Sequence, residues 1–325
     1  MSEILQCLNC GSIKGIKLFT TEDVFDNLHI YYRCTNCSLV FLWPLPDKEM
    51  FSLIYDSDYY GEGQEEKFQS SVVVRLIDFF SRYRASRICK LLPFNARIID
   101  VGCGNGRLLE HLFEMNKYFE LYGVEINARA VKRASKRLKG KAEIYKLENL
   151  DQHFTENSID GVVFIHVFEH MPDPSSVMDQ LEAVVRTFGI VMMVIPNIHS
   201  RQANKYKGKW FHLDPPRHLH FYPLKLLVEE MGKRGFVLVS EAYSDLEQNP
   251  FGAFQSMLNT LLTKRDVLYE RLKGNKRYAP GFKNVSVLLM KLLWFFAMPF
   301  CVIMDFIDAN RAKGASMEII FRKVE

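Results

Sequence analysis

The stretch Ile98 to Gly106 reads Ile-Ile-Asp-Val-Gly-Cys-Gly-Asn-Gly. Two β-branched residues close an apolar run, an acid (Asp100) follows, and glycines stand at 102, 104 and 106. Glycines so spaced permit a tight strand-to-helix turn and close backbone approach by a ligand. A nicotinamide-dinucleotide fingerprint, G-x-G-x-x-G, would need its third glycine at 107, where this chain has Arg107. Glu125 lies at the end of the next strand candidate, in Tyr-Gly-Val-Glu-Ile-Asn, and an acid about 20 residues past such a turn suits ribose hydroxyls. A second constellation is Cys7-x-x-Cys10 and Cys34-x-x-Cys37, with 23 residues between the pairs. This spacing fits a tetrahedral four-thiolate zinc site of the structural kind, with no open position for a substrate. A redox pair or disulfides is the alternative reading. The third is imidazole-rich: His166, Glu169 and His170 after a buried run, and Arg217 and His218 inside Trp-Phe-His-Leu-Asp-Pro-Pro-Arg-His-Leu-His-Phe. A histidine titrating near neutrality suits a general base. The bland reading of the same groups is capping and packing.

The elements that must position these groups follow from the patterning. Strand candidates are 97–101, 121–125, 142–146, 161–166, 189–195, 237–243 and 316–323. Helical spacing marks 69–92, 107–116, 128–139, 175–187 and 224–234, with a short helix and turn at 47–60 carrying Tyr55, Tyr59 and Tyr60. Strand and helix alternate, which argues a parallel sheet covered on both faces. The resulting division is a zinc ribbon at 1–45, a helical connector or lid at 46–95, a core at 96–243, an apolar helical insertion at 244–315 and a last strand at 316–325. A domain as small as the ribbon needs a metal staple to hold its core. Length (325 residues) and a 48% apolar fraction support a sizeable core, and a net charge of +4 is too small to imply nucleic acid by itself. The first ten residues show no secretory signal, so a reducing, cytoplasmic setting is expected for the seven cysteines. Cys89, Cys103 and Cys301 have no spaced partners and read as small buried apolar residues.

The D-x-G-x-G-x-G spacing resembles the first motif of class I S-adenosylmethionine (SAM) methyltransferases. The stretch Glu169-His170-Met-Pro-Asp173-Pro, the Val-Ile-Pro-Asn at 194–197 and the Asp-Pro-Pro-Arg-His-Leu segment at 214–219 resemble a bacterial-type subgroup with an N-terminal zinc ribbon. The resemblance covers nearly the whole chain except the insertion. It implies a doubly wound, mostly parallel seven-stranded α/β sheet, closed by a hairpin whose arms are 237–243 and 316–323. It implies SAM held by Asp100, Gly102, Cys103, Gly104, Gly106, Glu125, Ile126, Glu148, Asn149 and His166, with zinc on Cys7, Cys10, Cys34 and Cys37. Glu148 and Asn149 replace the Gly-Asp pair common after the third strand, which leaves the adenine end open between cofactor contact and loop solvation. Asp160 reads as structural. The base candidates for an alcohol acceptor are, in order, His170, His218 and His166. Relatives associated with surface polysaccharide and lipid-linked sugars point to a sugar or lipid-linked small-molecule acceptor, O-methylated first and C-methylated second.

Two other classes stay open. A nucleic-acid methyltransferase would use the ribbon as reader, but residues 1–40 carry three Lys/Arg against four Asp/Glu. A non-catalytic scaffold is disfavoured by the intact glycine turn and Glu125. The insertion adds a partner. Residues 285–304 form a 20-residue apolar run with the single charge Lys291, and 264–283 hold seven basic and two acidic residues. One crossing of a bilayer is incompatible with a return to the sheet at 316. A helical hairpin on or in one leaflet is therefore expected, kinked at Pro299, with Trp294 and Tyr278 at the interface, on the inner face of a membrane. A buried core or dimer helix is the competing reading, and oligomers are compatible with either.

Overall fold

The computed structural model describes residues 4–47, 49–50, 71–146, 150–275, 281–282 and 284–324. Beyond Met50 the helix and tyrosine cluster expected at 47–60 fall outside them, as do Glu148, Asn149 and Tyr278. The described chain forms two compact units: Met1–Ser71, Pro196–Leu226 and Ala242–Met317 in the first, and Val72–Ile195, Leu227–Glu241 and Glu318–Glu325 in the second.

The second unit carries the sheet. Its strands are β4 (Arg97–Val101), β5 (Glu120–Glu125), β6 (Glu143–Lys146), β7 (Ile159–Ile165), β8 (Val185–Pro196), β10 (Phe236–Ala242) and β11 (Ser316–Lys323), in the spatial order β10-β11-β8-β7-β4-β5-β6. β4 pairs in parallel with β5 and β7, β5 with β6, and β7 with β8. The central strands are apolar on both faces because helices cover both sides, so β7 is buried along nearly its whole length. Those helices are α1 (Ser71–Cys89), α2 (Arg107–Met115), α3 (Ala128–Arg137), α4 (Leu150–His153) and α5 (Pro174–Val184), while α7 (Leu224–Gly232) leads into β10. Ala85 and Ile88 of α1 and Leu108, Leu109 and Leu112 of α2 share one core with Ile98, Leu121, Val163 and Met192. Starts are set locally. Asn127 caps α3 by accepting from the Arg129 and Ala130 amides, and Asp173 caps α5 through Ser176 with Pro174 at its first turn. β11, arriving last, is fastened by Lys323, whose ammonium donates to the Val185 carbonyl at 2.9 Å and to Asn157 Oδ1 at 3.0 Å.

The expected helix 175–187 ends three residues early. Val184-Val185 is β-branched and feeds an extended strand, so β8 begins at Val185, and Thr187 is strand rather than helix. A register shift opposite Ile159 and Gly161 absorbs the early start, and at Gly189 a side chain would meet the Val185 side chain and the Arg186 and Ile159 carbonyls within 3.0 Å.

The first unit holds the ribbon. β1 (Gly15–Glu22), β2 (Leu28–Cys34) and β3 (Val40–Leu42) are joined by β9 (His220–Phe221) in the order β1-β2-β3-β9. Asp23 shapes the β1–β2 turn by accepting from the Phe25 and Asn27 amides and from His29 Nε2 at 2.9 Å. Tyr31, Val40 and Leu42 share a core with Trp210, Leu213, Phe221 and Ala315, so the cysteine-bearing hairpin draws its burial from residues far downstream. Helices α6 (Arg201–Tyr206), α8 (Asn249–Leu261), α9 (Val267–Leu272) and α10 (Asn284–Ala309) complete the unit. The last three form the insertion between β10 and β11. α10 runs on through Pro299 as one continuous helix. Trp294, expected at an interface, is half-buried and meets Phe251 at 6.1 Å between ring centroids.

Candidate functional site

In the second unit the glycine turn sits where β4 ends. Gly102, Gly104 and Gly106 all have left-handed φ (72°, 57° and 78°), conformations that favour glycine. A side chain at Gly102 would stand 2.4 Å from Val167 Cγ2, so the turn and the segment after β7 are in close contact. A side chain at Gly104 would meet nothing within 4 Å: this face of the turn is open, as close approach by a ligand requires.

Glu125 braces that turn. Its Oε2 accepts from the Gly104 amide at 2.9 Å and its Oε1 from the Asn127 amide at 3.0 Å. Each carboxylate oxygen keeps a second lone pair for a hydroxyl donor. Asp100 is buried at 5% exposure. Burial first, and then the negative field of Glu125, push its pKa up to about 8. A cation brought beside it would restore the ionised form. Cys103 turns its side chain into the core, against the space left by Gly123, and burial raises its thiol. Only its backbone is left to face a ligand. Ile126 is exposed just beyond Glu125.

At the end of β7, His166 adopts φ 53°, its amide donates to the Val194 carbonyl at 2.8 Å, and its Nδ1 lies 3.6 Å from Glu169 Oε1. Glu169 is buried, while His170 is half-buried at the end of a 3-10 turn, Phe168–His170. Asp160 accepts from the Arg97 amide and pairs with Arg186, a structural role as expected.

His218 belongs to the first unit. Its Nδ1 is 2.7 Å from the His212 carbonyl. A carbonyl only accepts, so Nδ1 carries the proton and a neutral ring presents its lone pair at Nε2. That Nε2 is 3.7 Å from Asp214 Oδ2, and Asp214 also pairs with Arg217 at 2.5 Å. Asp214 itself sits in the left-handed region at φ 39°. α8 approaches this segment so closely that a side chain at Gly252 would stand 2.4 Å from His212 Nε2. Arg265 underpins it: the buried guanidinium donates to Thr21 Oγ1 and to the Gly208, Trp210 and Phe211 carbonyls, and pairs with Asp266 at 2.9 Å. Nothing local in the sequence marks Arg265, because every partner but one is distant along the chain.

The four cysteines also come together. All four Sγ atoms lie within 4.8 Å of one another, with Cys7–Cys37 at 3.5 Å and Cys10–Cys34 at 3.6 Å. Tetrahedral Zn–S bonds of about 2.3 Å put sulfurs roughly 3.8 Å apart, so the set fits a structural zinc ion. A four-cysteine cluster of this geometry can hold a metal ion.

Comparison with known proteins agrees with this geometry. Residues 67–241, more than half of the chain, match the family model described as a methyltransferase domain. A ubiquinone biosynthesis O-methyltransferase of Xanthomonas axonopodis pv. citri is 26% identical over 102 residues, 31% of this chain and 43% of that relative. The match thus spans less than half the length of that protein. A SAM-dependent methyltransferase of Archaeoglobus fulgidus has 20% identity and a TM-score of 0.47 over 80% of this chain and 97% of its own. The [4+2]-cyclase SpnF has 13% identity and a TM-score of 0.49 over 74% of this chain and 80% of its own. With a glycine turn, a braced Glu125 and a family match across more than half its length, the chain belongs to the methyltransferase-domain family and has the class I SAM-dependent fold.

Proposed function

We propose that this protein transfers the methyl group of SAM to an oxygen of a small-molecule acceptor, of the sugar or lipid-linked class. The observation that carries the reading is the Glu125 brace on a glycine turn whose Gly104 face is open. When bound, SAM supplies an already activated methyl group. The residues that would hold it are Asp100, whose carboxylate a cation would ionise, Glu125, whose remaining lone pairs would accept from ribose hydroxyls, the backbone of Gly102, Cys103, Gly104 and Gly106, and Ile126 and His166. Glu148 and Asn149 are the remaining candidates at the adenine end. Holding acceptor and cofactor in line is the main source of rate. Zinc on Cys7, Cys10, Cys34 and Cys37 supports the ribbon and takes no part in the chemistry.

An alcohol acceptor must also lose a proton. His170, His218 and His166 are the candidate bases. The bond from His218 Nδ1–H to the His212 carbonyl supports His218, because it makes Nε2 the nitrogen that would take a proton. The name of the Xanthomonas relative, an O-methyltransferase, supports transfer to oxygen. A lipid-linked acceptor would be met at the cytoplasmic face of a membrane, with residues 264–304 nearest the lipid.

The test is mass spectrometry of cell extracts incubated with purified protein and methyl-labelled SAM, which identifies both acceptor and methylated atom. Replacing the true base by alanine should cut turnover by about 10² to 10⁴ with SAM binding retained. Full turnover in all three alanine variants would refute a histidine base.

A further inference from the structure

Among the described residues of its unit, the outer face of α10 is exposed. At 100° per residue, its exposed apolar side chains fall in one arc of about 160° along about 39 Å of helix. The centre of the arc is Val285, Leu289, Leu292, Phe296, Phe300 and Ile303, with Val285 77% and Phe296 75% exposed. Val287, Met290, Asp305 and Asp308 face the other way and are buried.

We propose that this arc is a docking surface for one leaflet of an anionic lipid bilayer, with α10 lying in the membrane plane. The proposal deepens the lipid-linked reading above and is independent of the chemistry at the glycine turn.

Three observations select lipid. The first is width. One partner helix covers a narrow seam, whereas the arc is far broader than that, uncharged, and continuous over seven turns. The second is charge. Of the acidic residues in the insertion, Asp245, Asp266, Glu270, Asp305 and Asp308 are buried and Glu247 is half-buried. Of its described bases, Arg265 and Lys273 are buried in pairs with Asp266 and Glu270, Lys264 and Arg271 are half-buried, and Lys291, Arg311 and Lys313 are exposed. Exposed charge on the described insertion is therefore mainly basic, which complements anionic head groups. Lys291 falls at the border of the arc, where a long stem can lie along lipid with its ammonium in the head-group layer.

The third observation fixes the orientation. Both ends of α10 are tied down. Met290 packs with Phe254, Leu258 and Leu268 of α8 and α9. At the other end Asp305 accepts from Asn249 at 2.8 Å and from Ser244 at 3.0 Å, and Asp308 pairs with Arg201 at 3.0 Å. The following residues are held as well: Arg201 and Asn197 donate their amides to the Lys313 and Ala315 carbonyls at 3.0 and 2.7 Å. A side chain at Gly314 would overlap the Tyr243 carbonyl, so the return path has no slack. A helix fastened along its inner face dips into a leaflet and does not cross it.

The test is flotation of the purified full chain with phosphatidylglycerol-containing vesicles and with phosphatidylcholine vesicles. Flotation is expected with the first and about tenfold less with the second. Phe296→Glu combined with Phe300→Glu should lose the vesicles while SAM uptake, measured by calorimetry, stays unchanged. Orientation is read by brominated-lipid quenching of Leu289→Trp and of Phe296→Trp, each in a Trp294→Phe background. Equal depths are expected, whereas a crossing helix would put Phe296 near the bilayer centre and Leu289 about 10 Å further out. Failure to float, equal flotation on both vesicles, unequal depths, or a stable dimer that buries α10 and ignores vesicles would each overturn the docking surface. None of these outcomes touches the methyl-transfer reading, which falls only if SAM uptake fails.

Discussion

Asp100→Asn tests the electrostatics of the glycine turn directly. In the folded protein, burial and then the charge of Glu125 raise the Asp100 carboxyl to about 8, against 3.8 as the ordinary value. A group with a raised folded pKa contributes stability that is fully present below its unfolded value and is lost as pH climbs through the folded one. Between about pH 4 and pH 8 the unfolded chain is ionised at this residue and the folded protein is not. The wild type therefore loses about 1.4 kcal/mol per pH unit relative to a variant that cannot ionise there. From pH 5 to pH 7 the stability difference should move by about 3 kcal/mol in favour of the asparagine variant. Urea unfolding of both proteins across that range measures it, and the change in difference cancels any uniform effect of the substitution. Cofactor binding adds a second readout. If the cationic end of SAM faces Asp100, uptake at pH 7 draws out the carboxyl proton, and about one proton is released per SAM bound. Calorimetry in two buffers of different ionisation enthalpy counts it. The asparagine variant should release none at this site and bind SAM more weakly. Parallel stability curves over pH 5 to 7, or equal proton release in both proteins, would refute the argument.

Gly102→Ala should cost about 2–4 kcal/mol and abolish SAM uptake, from left-handed strain plus overlap with Val167. Adding Val167→Ala should recover part of the loss in thermal unfolding, because only the steric component is relieved. Arg265→Leu strips buried Asp266 of its cation and removes one of the two donors that each of the Gly208, Trp210 and Phe211 carbonyls has. A loss of about 3–5 kcal/mol is expected in urea unfolding, and a change below about 1 kcal/mol would show that the network is redundant. Removing metal with a strong chelator, or Cys34→Ser, should release the order of residues 7–37, seen as faster amide exchange in β1 and β2, with the sheet around β4 unchanged. Retained protection in β1 and β2 after chelation would show that the ribbon holds without metal.

How much was legible in advance divides along lines of distance in the chain. The glycine turn, Glu125 and the two Cys-x-x-Cys knuckles were readable because each is a short-range pattern tied to one local conformation. The order of strands and helices was readable for the same reason: burial periodicity is written within each segment. Boundaries failed where a local rule met a tertiary one, as at Thr187, which helical spacing claimed and the pairing of β8 with β7 took.

By itself the sequence determined the fold class, the left-handed glycine turn and the two cysteine knuckles, because backbone conformation and knuckle spacing there are properties of neighbouring residues. Only the tertiary structure decided the proton position on His218, the raised pKa of Asp100, the reach of Arg265 and which face of α10 is bare. Each of those depends on groups that folding alone brings within a few ångströms, where desolvation and hydrogen bonding set the charge state, and no spacing rule carries that information.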